Sequence, residues 1–279
     1  MSAENILKKQ ITLYAENLPD QAGRDRVIIR EERALDIART HNVGLYDIYL
    51  AAFELKIEPY RYIRNLDSIT IEDQHTLARA RVCVIGAGGL GGQVILLLSR
   101  LGSGNILIVD GDRFDETNLN RQALCSMDAL GRPKVAIAKE EIAKINPAVN
   151  VTAYCNSLDH NNAEKIFTNS DVIIDALDNV PDRFIIESYA QRLSIPLVHG
   201  AVAGLYGQVM TIFKGDAGLE CIYDKERATL PLKDNPALKL GVPAATPVII
   251  AALQAMETVK ILLKKQDILR NRLAYLDME

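Results

Sequence analysis

The chain has 279 residues, 48% of them hydrophobic, with 32 Lys and Arg against 36 Asp and Glu for a formal net charge of −4. That length holds one large domain, or a moderate one with a small companion, and the apolar fraction is enough for a sizeable core, which excludes a disordered chain. The acidic balance counts against a non-specific nucleic-acid binder.

Residues 1–58 are dense in charge (Arg24, Asp25, Arg26, Arg30, Glu31, Glu32, Arg33) and have no glycine-rich turn. Two short helical patterns follow one another there. One covers 31–40, with Ala34, Leu35, Ile37 and Ala38 apolar, and the other covers 45–55. The link His41-Asn42-Val43-Gly44 holds the Asn and Gly of a helix stop. A helix-turn-helix reader of DNA is one interpretation of the pair. With an acidic chain the expectation is a helical hairpin packed on the main domain. Pro59 marks the boundary, so the expected division is an N-terminal helical region, 1–58, and a main domain, 59–279.

From Arg81 onward, short β-branched runs alternate with amphipathic stretches. Strands are predicted over 82–85, 106–109, 149–154, 172–175, 197–199 and 206–213. Helices are predicted over 89–101, 133–145, 163–168 and 181–193. The alternation predicts an α/β fold with a Rossmann-like, mostly parallel sheet and helices on both faces. Such sheets bind ligands at the carboxyl ends of their strands. The last strands, with Gly204 and Gly207 between them, are predicted antiparallel. The most apolar stretch, 247–263, is broken by Gln254, Glu257 and Lys260 and reads as too short and too charged for a membrane span. The start, Met1-Ser2-Ala3-Glu4-Asn5, is polar, and Cys83, Cys125, Cys155 and Cys221 form no CxxC pair. A cytoplasmic protein with reduced thiols and no zinc ribbon is therefore expected.

The first strand of the main domain runs into Gly86-Ala87-Gly88-Gly89-Leu90-Gly91-Gly92, and a helix follows. In this GxGxxG pattern Gly86 allows a tight turn, Gly88 lets backbone approach phosphate, and Gly91 lets the helix pack close on the strand. The second strand ends at Asp110, where an acid is placed for ribose hydroxyls, with Asp112 just beyond. This much fits NAD or ATP. Thr117-Asn118-Leu119-Asn120-Arg121-Gln122 then brings amides and a guanidinium to the strand ends, and Gly131-Arg132-Pro133-Lys134 opens a helix. Lys134 in the first turn faces the positive end of the helix dipole, at a typical cost of ~0.3–1 kcal/mol that a bound polyphosphate would reverse. Two cations here favour ATP over a dinucleotide. The fourth strand ends in Asp175-Ala176-Leu177-Asp178-Asn179. Asp178 is placed to hold Mg²⁺ on phosphates, and Asn179 is suited to capping the next helix.

Taken together, these residues resemble the HesA/MoeB/ThiF family, relatives of the ubiquitin-activating enzymes. The likeness runs from Arg61 to about Leu263 and rests on Arg61-Tyr62-Ile63-Arg64, Gly86 to Gly92, Val109-Asp110-Gly111-Asp112, Asn118 to Gln122, Gly131 to Lys134, Leu177-Asp178-Asn179 and Leu253-Gln254-Ala255-Met256-Glu257. The resemblance implies Mg-ATP-dependent adenylation of the C-terminal glycine of a small β-grasp sulfur-carrier protein ending in Gly-Gly, as in thiamine or molybdopterin-type sulfur transfer. It places Gly89 against the phosphates and Asp110 on the ribose, with Asp112 and Leu177 in the same nucleotide site. Asn118, Arg121 and Lys134 would contact the triphosphate, and Asp178 would hold magnesium. Arg64 resembles an arginine that reaches into a partner subunit's site, which implies a homodimer.

Many members hold a structural zinc with two CxxC pairs. Here Cys221-Ile222-Tyr223-Asp224 offers one cysteine and no second pair follows, so no structural zinc is expected. The stretch 235–242 also lacks the crossover-loop cysteine that some members use in thioester or persulfide chemistry. The expected product is an acyl-adenylate that is free or passed on, with neither nucleic acid nor membrane as partner. Within ATP chemistry the alternative is an enzyme resembling tRNA threonylcarbamoyladenosine dehydratase, which the acidic charge disfavours. An NAD-dependent dehydrogenase rests only on the glycine loop and Asp110. A non-catalytic nucleotide-binding scaffold is countered by Arg121, Lys134 and Asp178.

Overall fold

A computed structural model of the chain describes residues 3–65, 67–224 and 236–279. Its centre is a seven-stranded sheet. The strands, in chain order, are β4 (Arg81–Ile85), β5 (Asn105–Val109), β6 (Asn150–Tyr154), β7 (Val172–Asp175), β8 (Leu197–Ala203), β9 (Tyr206–Ile212) and β10 (Leu273–Asp277). In space they run β10-β9-β8-β7-β4-β5-β6. The five from β8 to β6 are parallel; β9 and β10 are antiparallel additions. The order reverses between β4 and β7, so a crevice opens above the paired strand ends Ile85 and Asp175.

The parallel strands are buried on both faces, which is why they read as continuous apolar runs. Val82, Val84, Ile106, Ile108, Val172 and Ile174 face one layer, where α5 (Gly89–Leu101), α6 (Lys134–Ile145) and α10 (Ala245–Leu262) pack. Cys83, Ile85, Leu107, Val109 and Ile173 face the other, covered by α7 (Ala163–Phe167) and α8 (Val180–Leu193). By length and composition α10 suffices to cross a bilayer, but more than half of it is buried against α5 and β8.

The N-terminal region departs from the expected purely helical one. Besides α2 (Glu31–His41) and α3 (Leu45–Glu54), which follow the predicted pair closely, it holds α1 (Ala3–Leu13) and a three-stranded sheet. That sheet is β1 (Glu16–Pro19), β2 (Asp25–Ile29) and β3 (Glu58–Pro59). β1 reads Glu-Asn-Leu-Pro and β3 has two residues, too little for an alternation to register. Asn42 ends α2 in the left-handed conformation, φ +53°, as the helix-stop reading requires. The strand β3 straddles position 58, and Tyr62, Ala78 and Ala148 complete the core formed by Ile11, Ile37, Ile48 and Phe53. Arg61 closes the joint: its guanidinium pairs with Glu31 and donates to the Ile145 carbonyl at 3.1 Å. Asn146 adds donations to Tyr62 Oη and the Ser99 carbonyl, both at 2.9 Å.

Candidate functional site

The turn after β4 is shaped by glycine. Gly86 has φ +95°, and a Cβ there would lie 2.7 Å from the Ala176 carbonyl oxygen at the end of β7. A Cβ on Gly91 would lie 1.9 Å from the Gly86 carbonyl oxygen, so only glycine lets α5 sit this close to the strand. Gly88 differs: its added Cβ would meet nothing nearer than Gln122 Nε2, at 3.7 Å. With only the far end of one side chain in ordinary contact there, the backbone stays approachable by a ligand.

This loop forms one wall of a cavity of about 570 Å³ at the switch point, within the range of small-molecule sites. Asp110 stands at the end of β5 and holds the loop. Its Oδ2 accepts from Ala87 N at 2.7 Å and its Oδ1 from Asp112 N at 2.8 Å. Pro133 caps α6, and Lys134 is its first residue. Lys134 is 6% exposed, and its Nζ donates to Asp112 Oδ2 at 2.9 Å. The sequence reading left this cation facing the helix dipole until a phosphate arrived. Asp112 already supplies the compensating charge, and its own side chain is 73% exposed, free to move aside. Arg121 donates through Nη1 to the Thr117 carbonyl at 2.7 Å and to Asn120 Oδ1 at 3.0 Å, which brings its stem beside Gly89. Next to it Gln122 is 6% exposed and lines the cavity, and its Oε1 has no hydrogen-bond partner among the described residues. A buried acceptor left open at a cavity wall is an ordinary mark of a ligand site.

Opposite, Leu177 and Asp178 project from the end of β7. Asn179 accepts from Asp182 N at 3.0 Å and is the cap of α8, and Asp178 beside it lines the cavity. The cavity thus gathers Gly86, Gly88, Gly89, Asp110, Asp112, Arg121, Lys134, Leu177 and Asp178. Three expected residues do not reach its wall. Gly91 serves packing. Asn118 is turned into its own loop, where Oδ1 accepts from Asp115 N at 3.1 Å in a capping box; its position inside the motif hides that local use. Arg64 is exposed, and no hydrogen bond or ion pair engages it among the described residues.

The four cysteines are free thiols. Cys83 is buried in the sheet, and burial also raises the thiol pKa of Cys125. Of the crossover stretch 235–242, residue 235 lies outside the described residues; Pro236–Leu240 form α9, whose Leu238 and Leu240 border the cavity.

Residues 61–279 match the ThiF family. The SAMP-activating enzyme E1 of Haloferax volcanii is 34% identical over 221 residues, 78% of this chain and 80% of that protein. The chain belongs to the ThiF family. The sulfur carrier protein adenylyltransferase of Thermus thermophilus is 35% identical over 216 residues, 75% of this chain and 79% of that one. A solved structure of E. coli MccB with ATP superposes with a TM-score of 0.63 at 24% identity, over 84% of this chain and 75% of that one, a likeness of fold.

Sequence reasoning missed much of this ThiF-family chain's cavity. Asn156, Ser157 and Leu158, after β6, wall it beside Gly111; only the rule that loops at strand carboxyl ends carry sites points to them. Arg183, Gln208 and Tyr223 also line it, from α8, β9 and the segment after Cys221. No local motif joins those three. Beneath them lie Asp175 and His199, both fully buried, with His199 Nδ1 2.7 Å from Asp175 Oδ2. Burial holds the imidazole pKa below its ordinary value, against the pull of Asp175.

Proposed function

We propose that this adenylyltransferase uses ATP to adenylate the C-terminal glycine of a small ubiquitin-like sulfur-carrier protein, releasing pyrophosphate. The observation that carries the reading is the convergence of Arg121, Lys134 and the glycine loop on one cavity wall, with Asp178 facing them. A terminal carboxylate has a pKa of ~3.5 and is ionised at neutral pH, so it needs no general base. One of its oxygens bonds to the α-phosphorus, the bond from that phosphorus to the bridging oxygen breaks, and pyrophosphate leaves with the electron pair. The difficulty is bringing an anion to a polyanion. Positioning and fixed positive charge meet it.

In this reading Gly88 and Gly89 lie against the phosphates, and Arg121 and Lys134 offset their charge, with Lys134 exchanging Asp112 for a phosphate oxygen. Asp110 meets the ribose. Magnesium fits a single carboxylate, because it keeps waters and takes phosphate oxygens, and Asp178 would hold it. Bound to the phosphates, the ion would neutralise charge on the leaving group. The adenylation chemistry belongs to residues 59–279, with 1–58 packed on them. Arg64, which no hydrogen bond or ion pair engages among the described residues, is read as acting in a second subunit of a homodimer. Thiamine and molybdopterin-type sulfur transfer both supply carriers of this kind, and four unpaired thiols suit the cytoplasm.

The test is exchange of labelled pyrophosphate into ATP with a panel of candidate carriers ending in Gly-Gly. Exchange should appear with a cognate carrier and vanish when its last glycine is deleted. Exchange that ignores the carrier, or protection by NAD in place of ATP, would overturn the reading.

A further inference from the structure

We propose that Tyr223 and His199 are positioning residues that fix the turn carrying Asp178, through a closed ring of hydrogen bonds around the Leu177 peptide. The backbone of Leu177 is held on both sides of its Cα. Its N–H donates to Asp175 Oδ1 at 3.0 Å, and its carbonyl accepts from Arg183 Nη2 at 2.5 Å. Arg183 is 6% exposed and Asp175 fully buried, with Arg183 Nε 3.5 Å from Asp175 Oδ2. Asp178 is the next residue along the chain.

The other side of the ring passes through Tyr223. Its hydroxyl oxygen accepts from Arg183 Nη1 and from Gln208 Nε2, each at 2.7 Å. Two donors occupy both lone pairs of a phenol, so its own proton must go to an acceptor. His199 Nε2, at 3.2 Å, is that acceptor. The imidazole therefore carries its proton on Nδ1 and donates it to Asp175 Oδ2 at 2.7 Å. The ring closes as Asp175, Leu177, Arg183, Tyr223, His199 and Asp175 again. The two rings of His199 and Tyr223 meet edge to face, with centroids 5.7 Å apart.

A network this buried is an expensive way to fill space, since apolar side chains of like volume do it at lower desolvation cost. What it provides is a fixed orientation. It ties β7, β8, β9, α8 and the segment after Cys221 to the backbone of one residue, Leu177, at the cavity wall, with Arg183 Nε the buried atom in it that makes no hydrogen bond among the described residues.

In what concerns catalysis the proposal rests on the adenylation reading, so the experiment has one arm that does not. In ¹⁵N-detected NMR of the intact protein, His199 should show a protonated Nδ1 and a pyridine-type Nε2 at neutral pH; a protonated Nε2 overturns the ring. The second arm is Tyr223→Phe, which keeps the aromatic ring and removes the hub oxygen. A misplacement of about 1 Å costs on the order of a hundredfold in rate, so kcat for pyrophosphate exchange should fall ten- to a hundredfold. KM for ATP should stay within about twofold, and the fold should be retained by circular dichroism. A folded Tyr223→Phe with wild-type kcat, or one in which KM alone moves, refutes a positioning role. If the wild type exchanges no pyrophosphate with any carrier, the adenylation reading fails, and the His199 tautomer together with faster hydrogen exchange of the Leu177 amide in Tyr223→Phe still decides the ring.

Discussion

Replacing Gly91 by alanine puts a methyl group 1.9 Å from the Gly86 carbonyl oxygen and 3.1 Å from the Ala176 side chain. The first neighbour is backbone, and its peptide plane is held by the Ala87 N–H to Asp110 Oδ2 hydrogen bond of 2.7 Å, so it cannot rotate away. To restore ordinary contact α5 and the strand must part by more than an ångström. Overpacking typically costs ~1–3 kcal/mol, and an immovable partner argues for the upper end. At ~2–4 °C per kcal/mol for a protein of this size, Tm should fall by roughly 6–12 °C in scanning calorimetry. Gly92→Ala is the control one position on. Its Cβ meets the Leu124 side chain at 3.4 Å and the Ala87 carbonyl oxygen at an ordinary 3.6 Å, and alanine gains ~1 kcal/mol of helix propensity, so Tm should hold or rise. Gly88→Ala should leave the free protein's Tm nearly unchanged and abolish ATP binding by isothermal calorimetry. If Gly91→Ala melts within a degree of wild type and still binds ATP, the close-packing account of this loop is wrong.

Mg-ATP at a hundred times its Kd should add about 2.7 kcal/mol, or roughly 5–10 °C in Tm, while NAD adds little; equal protection by NAD contradicts the cation-based assignment of the cavity. On the proposal that Arg64 acts across a homodimer, Arg64→Ala and Lys134→Ala should each lose about a hundredfold in pyrophosphate exchange. Mixed and allowed to exchange subunits, they should recover towards a quarter of wild-type activity, since about half the dimers then hold one intact site; no recovery after verified exchange means Arg64 serves its own chain or neither. His199 supplies a pH test. Burial sets its folded pKa below the unfolded 6.5, so between those values the unfolded chain binds the extra proton and stability falls as pH drops through that window. Tm measured from pH 7 to pH 5 should fall less steeply in His199→Asn, which keeps a donor for Asp175 and cannot titrate; parallel curves would show that the imidazole does not titrate on unfolding.

The sequence by itself determined six of the seven strands of the central sheet, all but β10, and the glycine-loop half of the cavity. Runs such as Val82 to Ile85 are strands whatever surrounds them, and the glycine spacing has one economical backbone solution. Gly91 meets the Gly86 carbonyl five residues back along the chain, so its role is local and legible, whereas the Ala176 carbonyl that crowds Gly86 comes from the end of β7, ninety residues on. Lys134 was legible as an electrostatic conflict, but its resolution by Asp112 depends on how β5 and α6 sit against each other. Only the tertiary structure decided the N-terminal sheet: β1 and β3 are too short to carry a period, and β3 exists because it pairs with β2 from thirty residues back along the chain. It also decided that Asn118 turns inward to cap its own loop. The Asp175, Arg183, His199, Gln208 and Tyr223 cluster joins residues up to 48 positions apart, read directly from their numbering. Each of those side chains is ordinary in its own stretch; what makes them a unit is the packing that buries Asp175, Arg183 and His199 together beside the cavity-lining Gln208 and Tyr223, which no local pattern of residues encodes.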